Sequence, residues 1–245
     1  MLNASTPTQS PRSGDKSRKR TIQHERDAER AWKEGVALSK AGQHKAASEK
    51  FERAVRLDPT DSLYWTNYAS ALNKIGCWIE AVSAARKATE IDPQSLISHQ
   101  LLAQLYRDRR QNEDALAVLE SLPAEVKRDA RHHLLMGACL SDMGRHQEAV
   151  PKFLDTLTLK HDSREAYMQM GFSLAKLRQY KQAAECFRTV SILEPTLLSA
   201  AVYAPHYRAW ACDWDGLDED KSRLADVIDR QHEGVDSEAI SPFCL

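Results

Sequence analysis

The sequence predicts an all-α solenoid, a stack of helical hairpins, and three observations carry that prediction. Residues of matching type recur every 34 positions through most of the chain. Only nine Gly and nine Pro occur among 245 residues, whereas Ala, Leu, Glu, Lys and Arg are abundant, which favours helices nearly throughout. In three of the periods a proline stands at the same place, where it would end a helix: Pro59, Pro93 and Pro195.

The period divides residues 22–197 into an array of five units, each predicted to be two antiparallel helices. Small residues occupy two columns, at which the two helix axes can approach to about 8–10 Å. The units are 28–61, 62–95, 96–129, 130–163 and 164–197. The small columns are Gly35, Ala69, Ala103, Gly137 and Gly171, and Ala47, Ala81, Ala115, Ala149 and Ala183. Two further columns hold mostly large residues: Leu38, Leu72, Tyr106, Leu140 and Leu174, and Phe51, Ala85, Leu119, Phe153 and Phe187.

The breaks between units carry polar residues able to cap the next helix, as in "LDPTD" and "IDPQS". Gly42, Gly76 and Gly144 fall at the turn inside a unit, where a left-handed residue should end the first helix. The third unit lacks both the turn glycine and the closing proline. A local change of superhelical pitch and ordinary drift in one repeat both fit that unit. One hairpin cannot bury its own apolar face, so neighbouring hairpins should stack.

This column pattern resembles the tetratricopeptide repeat (TPR), whose units form a right-handed superhelix. The resemblance implies that the first helix of each unit, here called the A helix, lines a concave groove that binds a peptide or a partner protein. It places a polar middle and apolar ends in that groove. The implied binding residues are Trp32, Thr66, Asn67, Ser70, Asn73, Gln100, Gln104, Arg107, Met168 and Phe172. Solvated polar residues on an exposed face are the alternative interpretation.

Two binding modes known from TPR proteins are not matched. Chaperone-tail-binding TPRs grip a carboxylate with Lys and Asn at positions that Trp32 and Val36 occupy here. O-linked N-acetylglucosamine transferases carry an Asn ladder on their A helices. The corresponding residues here are Lys33, Asn67, Leu101, Leu135 and Gln169, of which only Asn67 matches.

The segment 198–245 departs from the repeat pattern and is predicted to form capping or linker helices. It begins with a short helix and Pro205, continues as "HYRAWACDW" and a charged amphipathic helix near 218–230, and reaches "ISPFCL". This order resembles the joint between TPRs and the catalytic domain of bacterial O-linked N-acetylglucosamine transferase-like (SPINDLY-like) proteins. The joint residues are Trp210, Cys212, Asp213 and Trp214, with Ser241, Pro242 and Phe243 further on.

That resemblance implies a substrate-recognition arm whose sugar-nucleotide site and catalytic residues would lie beyond residue 245. The alternative is a stand-alone TPR adaptor, similar to a co-chaperone, with no link to glycosylation. A polar end cap would suit a solenoid, yet aromatic residues crowd this end: Tyr203, Tyr207, Trp210 and Trp214. Association through that aromatic end is therefore expected.

Composition narrows the remaining function classes. A net charge of −1 gives no overall bias toward nucleic acid, although residues 1–21 form a basic tail predicted to be disordered. That tail is either a targeting or nucleic-acid arm or a solvated terminus. No apolar run suits a membrane span, and five scattered Cys fit reduced thiols in the cytoplasm. No nucleotide, metalloprotease or hydrolase motif occurs, so no catalytic residue, cofactor or metal is assigned.

Overall fold

The structure is a computed structural model that describes residues 13–123, 125–126 and 129–232. All regular secondary structure in these ranges is helical, which confirms the all-α prediction. The chain divides into two compact units, Met1–Leu105 and Tyr106–Leu245. The helices are α1 (Ser13–Lys40), α2 (His44–Leu57), α3 (Ser62–Lys74), α4 (Trp78–Ile91), α5 (Leu96–Arg107), α6 (Asn112–Glu120), α7 (Ala130–Asp142), α8 (His146–Leu159), α9 (Arg164–Lys176), α10 (Tyr180–Leu193), α11 (Leu198–Trp210) and α12 (Leu217–His232).

In the first unit each helix packs on the next, from α1 to α4, and the A helices α1 and α3 also touch. Phe51 and Ala47 of α2 are buried with Ala71 of α3, and Trp32 packs against both this cluster and a second one around Ala54. Small residues bury completely at these crossings because a larger side chain would push the helix axes apart.

In the second unit α6 to α12 pack in chain order, and the A helices α7 and α9 touch as well. The second helix of each unit is called the B helix. Phe153 of the B helix α8 and Phe187 of the B helix α10 are fully buried and fill the centre of their hairpins. Helix α6 has nine residues, whereas α8 and α10 have 14. The short α6 belongs to the third sequence repeat, the one that departs most from the pattern.

Every hairpin turn ends its A helix with one left-handed residue. Three turns use glycine, such as Gly144 at φ 77°, but Arg110 and Arg178 adopt φ of 62° and 60° at the equivalent place. In each turn the next amide donates back to the A helix, for example from Arg145 to the Leu140 carbonyl over 2.8 Å. This hydrogen bond closes a Schellman motif, which keeps the turn even where no glycine is present.

The A helices begin at a repeated cap, as the breaks between units predict. The side chains of Asp61, Asp129 and Ser163 accept hydrogen bonds from backbone amides in the first turn of α3, α7 and α9. Ser95 does the same for α5, from the amide of Ser98. Such caps satisfy amides that would otherwise lack a partner at a helix start.

Glycine in the first small column is required by direct contact with phenylalanine. A Cβ atom on Gly171 would lie 2.8 Å from Cζ of Phe187, and one on Gly137 would lie 2.7 Å from Cε1 of Phe153. Real Cβ contacts are never this short, so the phenylalanine ring has to move before any other residue fits.

The amino-terminal prediction needs correction. Residues 1–21 are predicted to be disordered, but the backbone is helical from Ser13, and residues 1–12 lie outside the described range. The residues between Lys16 and Arg30 are mostly good helix formers with no Gly or Pro. Extending an existing helix adds one hydrogen bond per residue without a new nucleation cost, so a packed helix can propagate outward into a polar segment.

Helices α11 and α12 form a sixth hairpin in the same register, which the sequence prediction missed. Helix α11 runs without interruption through Pro205. Cys212 stands 34 residues after Arg178 and is also left-handed, with φ 49°. The amide of Asp213 donates to the Arg208 carbonyl over 3.0 Å, as in the other turns. The described part of the predicted linker is therefore built like a repeat.

Candidate functional site

In the first unit, the polar residues predicted to face a ligand divide into buried and half-exposed groups. Thr66 is 6% exposed, and its hydroxyl lies 2.8 Å from both the Ser62 carbonyl and the Ser98 hydroxyl. Ser98 in turn lies 2.8 Å from the hydroxyl of Ser95. This chain of hydroxyl groups joins α3 to α5, so Thr66 serves the packing of the repeats. Gln100 is buried as well.

The half-exposed group lies mainly on α3. Asn67, Ser70 and Asn73 are all partly accessible along this helix, and Gln104 is partly accessible on α5. The side-chain amide of Asn67 donates to the Leu63 carbonyl over 3.0 Å. Because an amide side chain has several donor and acceptor positions, this one bond does not exhaust it. These residues remain the predicted polar binding surface.

Trp32 is half-buried at the start of the same unit. Its ring lies 5.9 Å from that of Tyr64, at an interplanar angle of 34°. Its side chain also packs against both core clusters of the unit. Trp32 therefore packs α1 against α2 and α3, and only the exposed part of its side chain can contact a ligand.

In the second unit, the predicted apolar end of the groove is largely taken up by packing. The Phe172 ring lies 5.1 Å from both Phe187 and Tyr203, close to edge-on to each. Arg107 pairs with Asp142, with Nε 2.8 Å from a carboxylate oxygen. Met168 is half-buried and stays a predicted contact residue.

The aromatic carboxy-terminal end is partly packed and partly exposed. Tyr207 stacks on Phe187 with ring centroids 5.5 Å apart and on Tyr180 with centroids 6.2 Å apart, and the rings of both pairs are nearly parallel. Trp210 and Trp214, by contrast, are 58% and 65% exposed. The predicted association surface thus reduces to two tryptophans, one on α11 and one in the turn that follows it.

Arg208 is a buried residue that the sequence prediction did not identify. It is 4% exposed and stands 34 residues after Leu174, in a column of large side chains. Its Nη2 lies 2.6 Å from Glu185 of α10, and its Nε lies 2.7 Å from Asp220 of α12. The ion pairs of this one guanidinium therefore connect α10, α11 and α12. Extending the repeat by one more period would have singled it out.

The turn of the sixth hairpin also contributes to the charge cluster around Arg208. Arg208 donates to the carbonyl of Asp215, and its Nη1 lies 3.7 Å from the Asp213 carboxylate. Arg188 and Arg223 approach Asp220 to 3.7 and 3.3 Å. The Asp of the Cys-Asp-Trp element thus contributes to a charge cluster that positions α12, while Trp214 points to solvent.

No group of three or more His, Cys, Asp or Glu side chains could hold a metal among the described residues. His133 lies 3.7 Å from the Asp155 carboxylate, but burial lowers the pKa of His133. At neutral pH that histidine is therefore mostly uncharged. Within the same described part of the chain, no helix is long and apolar enough to cross a bilayer.

Family comparison agrees with this geometry. Residues 29–61, 50–83, 78–139 and 165–195 match sequence profiles described as "Tetratricopeptide repeat". Residues 29–139 and 165–195 are tetratricopeptide repeats. One of these matches covers residues 78–139 and so includes the third unit, which contains α5 and α6 and departs most from the repeat pattern.

Two TPR proteins share more than 30% identity with short parts of the chain. The TPR repeat-containing thioredoxin TTL4 of Arabidopsis thaliana is 35% identical over 80 residues, 33% of this chain and 12% of that protein. The small glutamine-rich tetratricopeptide repeat-containing protein 2 of Mycosarcoma maydis is 34% identical over 67 residues, 27% of this chain and 19% of that protein. The chain thus spans less than a fifth of either relative.

Solved structures superpose over much more of the chain. PilF of Pseudomonas aeruginosa matches with a TM-score of 0.71 at 15% identity, over 87% of this chain and 95% of PilF. YrrB, a TPR protein with an unusual peptide-binding site, matches with a TM-score of 0.60 at 20% identity, over 74% of this chain and 93% of YrrB. MamA matches with a TM-score of 0.65 at 14% identity, over 73% of this chain and 98% of MamA. At such identities the likeness establishes the fold.

Proposed function

We propose that this chain is a protein-interaction scaffold whose TPR A helices bind an extended peptide or a segment of a partner protein. The observation that carries the proposal is the polar face of α3. There Ser70 and Asn73 are partly exposed about one turn apart, with Asn67 beside them. Hydroxyl and amide groups can pair with the main chain of an extended peptide and so give affinity with little sequence specificity. YrrB, a TPR protein with an unusual peptide-binding site, has the same fold.

A matched pair of serines tests this proposal. Peptides selected from a random display library on the full chain would be measured by calorimetry against Ser70→Glu, on the A helix α3, and Ser83→Glu, on the B helix α4. A carboxylate at Ser70 would repel peptide carbonyls and crowd the surface. We expect Ser70→Glu to weaken binding about tenfold or more, which corresponds to about 1.4 kcal/mol, and Ser83→Glu to leave it unchanged. Equal affinities for both variants would refute the A-helix site.

We further propose that the scaffold is the substrate-recognition arm of an O-linked N-acetylglucosamine transferase-like protein. Its support is the Cys212-Asp213-Trp214 element, which follows the five predicted TPRs, and the exposure of Trp214, which leaves a large apolar ring open to a neighbour. Cys212 itself occupies a turn of the ordinary repeat type. The Ser241-Pro242-Phe243 part of the resemblance lies outside the described residues.

The transcript that encodes the chain provides a direct test of whether it is the recognition arm of a transferase. A reading frame that continues from codon 245 into a nucleotide-sugar-dependent transferase domain would support it. The product of that frame should transfer N-acetylglucosamine from UDP-N-acetylglucosamine to the selected peptides, and Ser70→Glu should raise its KM. A transcript without such a domain favours the stand-alone TPR adaptor.

We place the chain in the cytoplasm. Cys77, Cys139, Cys186 and Cys212 are free thiols, and two of them are buried away from any partner sulfur. Free thiols in this number suit a reducing compartment. Fractionation of the source cells with antibody detection checks the placement, and recovery in a secreted or membrane fraction would contradict it.

A further inference from the structure

The sixth hairpin contains an apolar groove between α11 and α12. Its volume is about 490 Å³, and its lining is mostly carbon, with Lys221 and His206 as the polar exceptions. The aliphatic lining comes from both helices: Val202, Pro205, Ala209, Leu224, Ala225 and Ile228. Trp210 forms one wall and is 58% exposed. A groove of this size and character normally holds an apolar ligand or side chains of another segment.

The chain itself supplies a segment of matching chemistry directly after α12. The 13 residues that follow His232 read "EGVDSEAISPFCL". Their first half is acidic, with Glu233, Asp236 and Glu238. Their second half is apolar, and Pro242 disfavours helix at the residue before it, so this half suits an extended ligand.

The segment is long enough to reach the groove. Along α12, Ile228 and Lys221 lie about 6 and 17 Å before His232, since a helix rises about 1.5 Å per residue. Gly234 permits the reversal that would send the chain back along α12. From Gly234 onward, about ten extended residues span up to roughly 33–36 Å. Ile240 and Phe243 can therefore both lie within the groove.

We infer that the groove between α11 and α12 binds the chain's own residues 239–245, "AISPFCL", in cis. Ile240 and Phe243 fill the apolar lining and cover Trp210. A short tether gives the segment an effective concentration of about 1 mM. If the free peptide has a Kd of about 0.1 mM, the tethered segment weakens binding of an added copy about tenfold by competition.

The test uses the full chain and a labelled peptide of residues 236–245 with Ser in place of Cys244, followed by fluorescence anisotropy. In the variant Ile240→Asp/Phe243→Asp the tethered segment no longer competes. We expect this variant to bind the peptide about tenfold more tightly than the unmodified chain does. Adding Ala225→Glu, at an exposed position in the groove, should abolish the binding. Adding Ser222→Glu, an exposed residue of the same helix outside the groove lining, should not.

Three results would overturn the inference. The peptide could bind the unmodified chain and the Ile240→Asp/Phe243→Asp variant equally, which would mean that the chain's own segment does not occupy the groove. Binding could survive Ala225→Glu, which would place the peptide elsewhere. A concentration-dependent dimer that Ile240→Asp/Phe243→Asp dissociates, measured by light scattering, would make the occupant a second copy.

Discussion

The size of one side chain in a hairpin constrains the residue packed against it. Three units have glycine in the first small column, and each of these has phenylalanine 16 residues later, as in Gly171 and Phe187. The other two have alanine there, followed by Ala85 or Leu119 at the same spacing. Because a Cβ on these glycines would lie within 3 Å of the ring, the two columns vary together.

The Gly171–Phe187 contact predicts an unusual glycine substitution. In an ordinary helix Gly→Ala stabilises by roughly 0.5–1 kcal/mol. Here Gly171→Ala should lower the free energy of unfolding by about 1–3 kcal/mol, because the new methyl group displaces the Phe187 ring. Urea denaturation followed by circular dichroism measures this change.

A double-mutant cycle separates that contact from other effects of the substitution. Gly171→Ala combined with Phe187→Leu should cost less than the sum of the single variants, by about 0.5 kcal/mol or more. Strict additivity would show that the ring is not what excludes the methyl group.

Thiol reactivity is the second prediction for individual residues. Burial raises the pKa of Cys139 to about 11 and that of Cys186 to about 12, whereas Cys212 is exposed. At pH 8 only about one thiol in a thousand is ionised at Cys139, and alkylation requires the thiolate. Iodoacetamide should therefore modify Cys212 long before Cys139 or Cys186, as followed by peptide mass spectrometry. Comparable rates for Cys139 and Cys212 in the folded chain would contradict this.

Helix α12 is held mainly by charge rather than by a small-residue crossing. Its first turn is acidic, which suits the positive end of a helix dipole. One of those acids, Asp220, is 2% exposed and pairs with the buried Arg208 of α11. Apolar contacts of Leu217 and Val227, both buried, complete the attachment.

Removal of one partner from this pair should loosen α12 strongly. Arg208→Met removes the nearest partner of the buried Asp220 and leaves only its longer contacts to Arg188 and Arg223, at an expected cost of about 1–3 kcal/mol. Hydrogen exchange should show the amides of α12 losing protection before those of α9. The control Arg223→Met removes a 30% exposed arginine that pairs with the same Asp220, and should cost only about 0–1 kcal/mol. Similar losses in both variants would mean that Arg208 is not the anchor.

At the scale of the whole molecule, the helices of each compact unit contact mainly their neighbours in the chain. Stability in such an array is close to a sum of local terms. A substitution in one hairpin should therefore reduce stability mainly near that hairpin.

Ala149→Leu tests this locality. Ala149 is fully buried in α8, so the larger side chain should destabilise by about 1–3 kcal/mol through overpacking. In native-state hydrogen exchange the loss of protection should be largest in α7 to α10 and smallest in α1 to α4. A uniform loss along the chain would indicate that it unfolds as one cooperative unit.

The repeats could be predicted in detail because their signals are local or periodic. Proline and cap positions end and begin helices within a few residues, as Asp61 and Ser163 show. The amino-terminal helix and the sixth hairpin could not be predicted in the same way. Residues 13–21 lack an apolar pattern, and the sixth hairpin replaces a column leucine with Arg208 and carries Pro205 inside its helix.

The sequence by itself determined the all-α class, the 34-residue register and the TPR family, since all three depend on residue types at fixed spacing. Only the tertiary structure decided which polar residues are free to meet a ligand. Thr66 is buried because its hydroxyl meets Ser98, a residue 32 positions away, while Ser70 on the same helix stays partly exposed. Likewise Arg208 is tolerated inside the fold because carboxylates from two other helices converge on it. Such convergence is set by packing between distant residues, which no local pattern records.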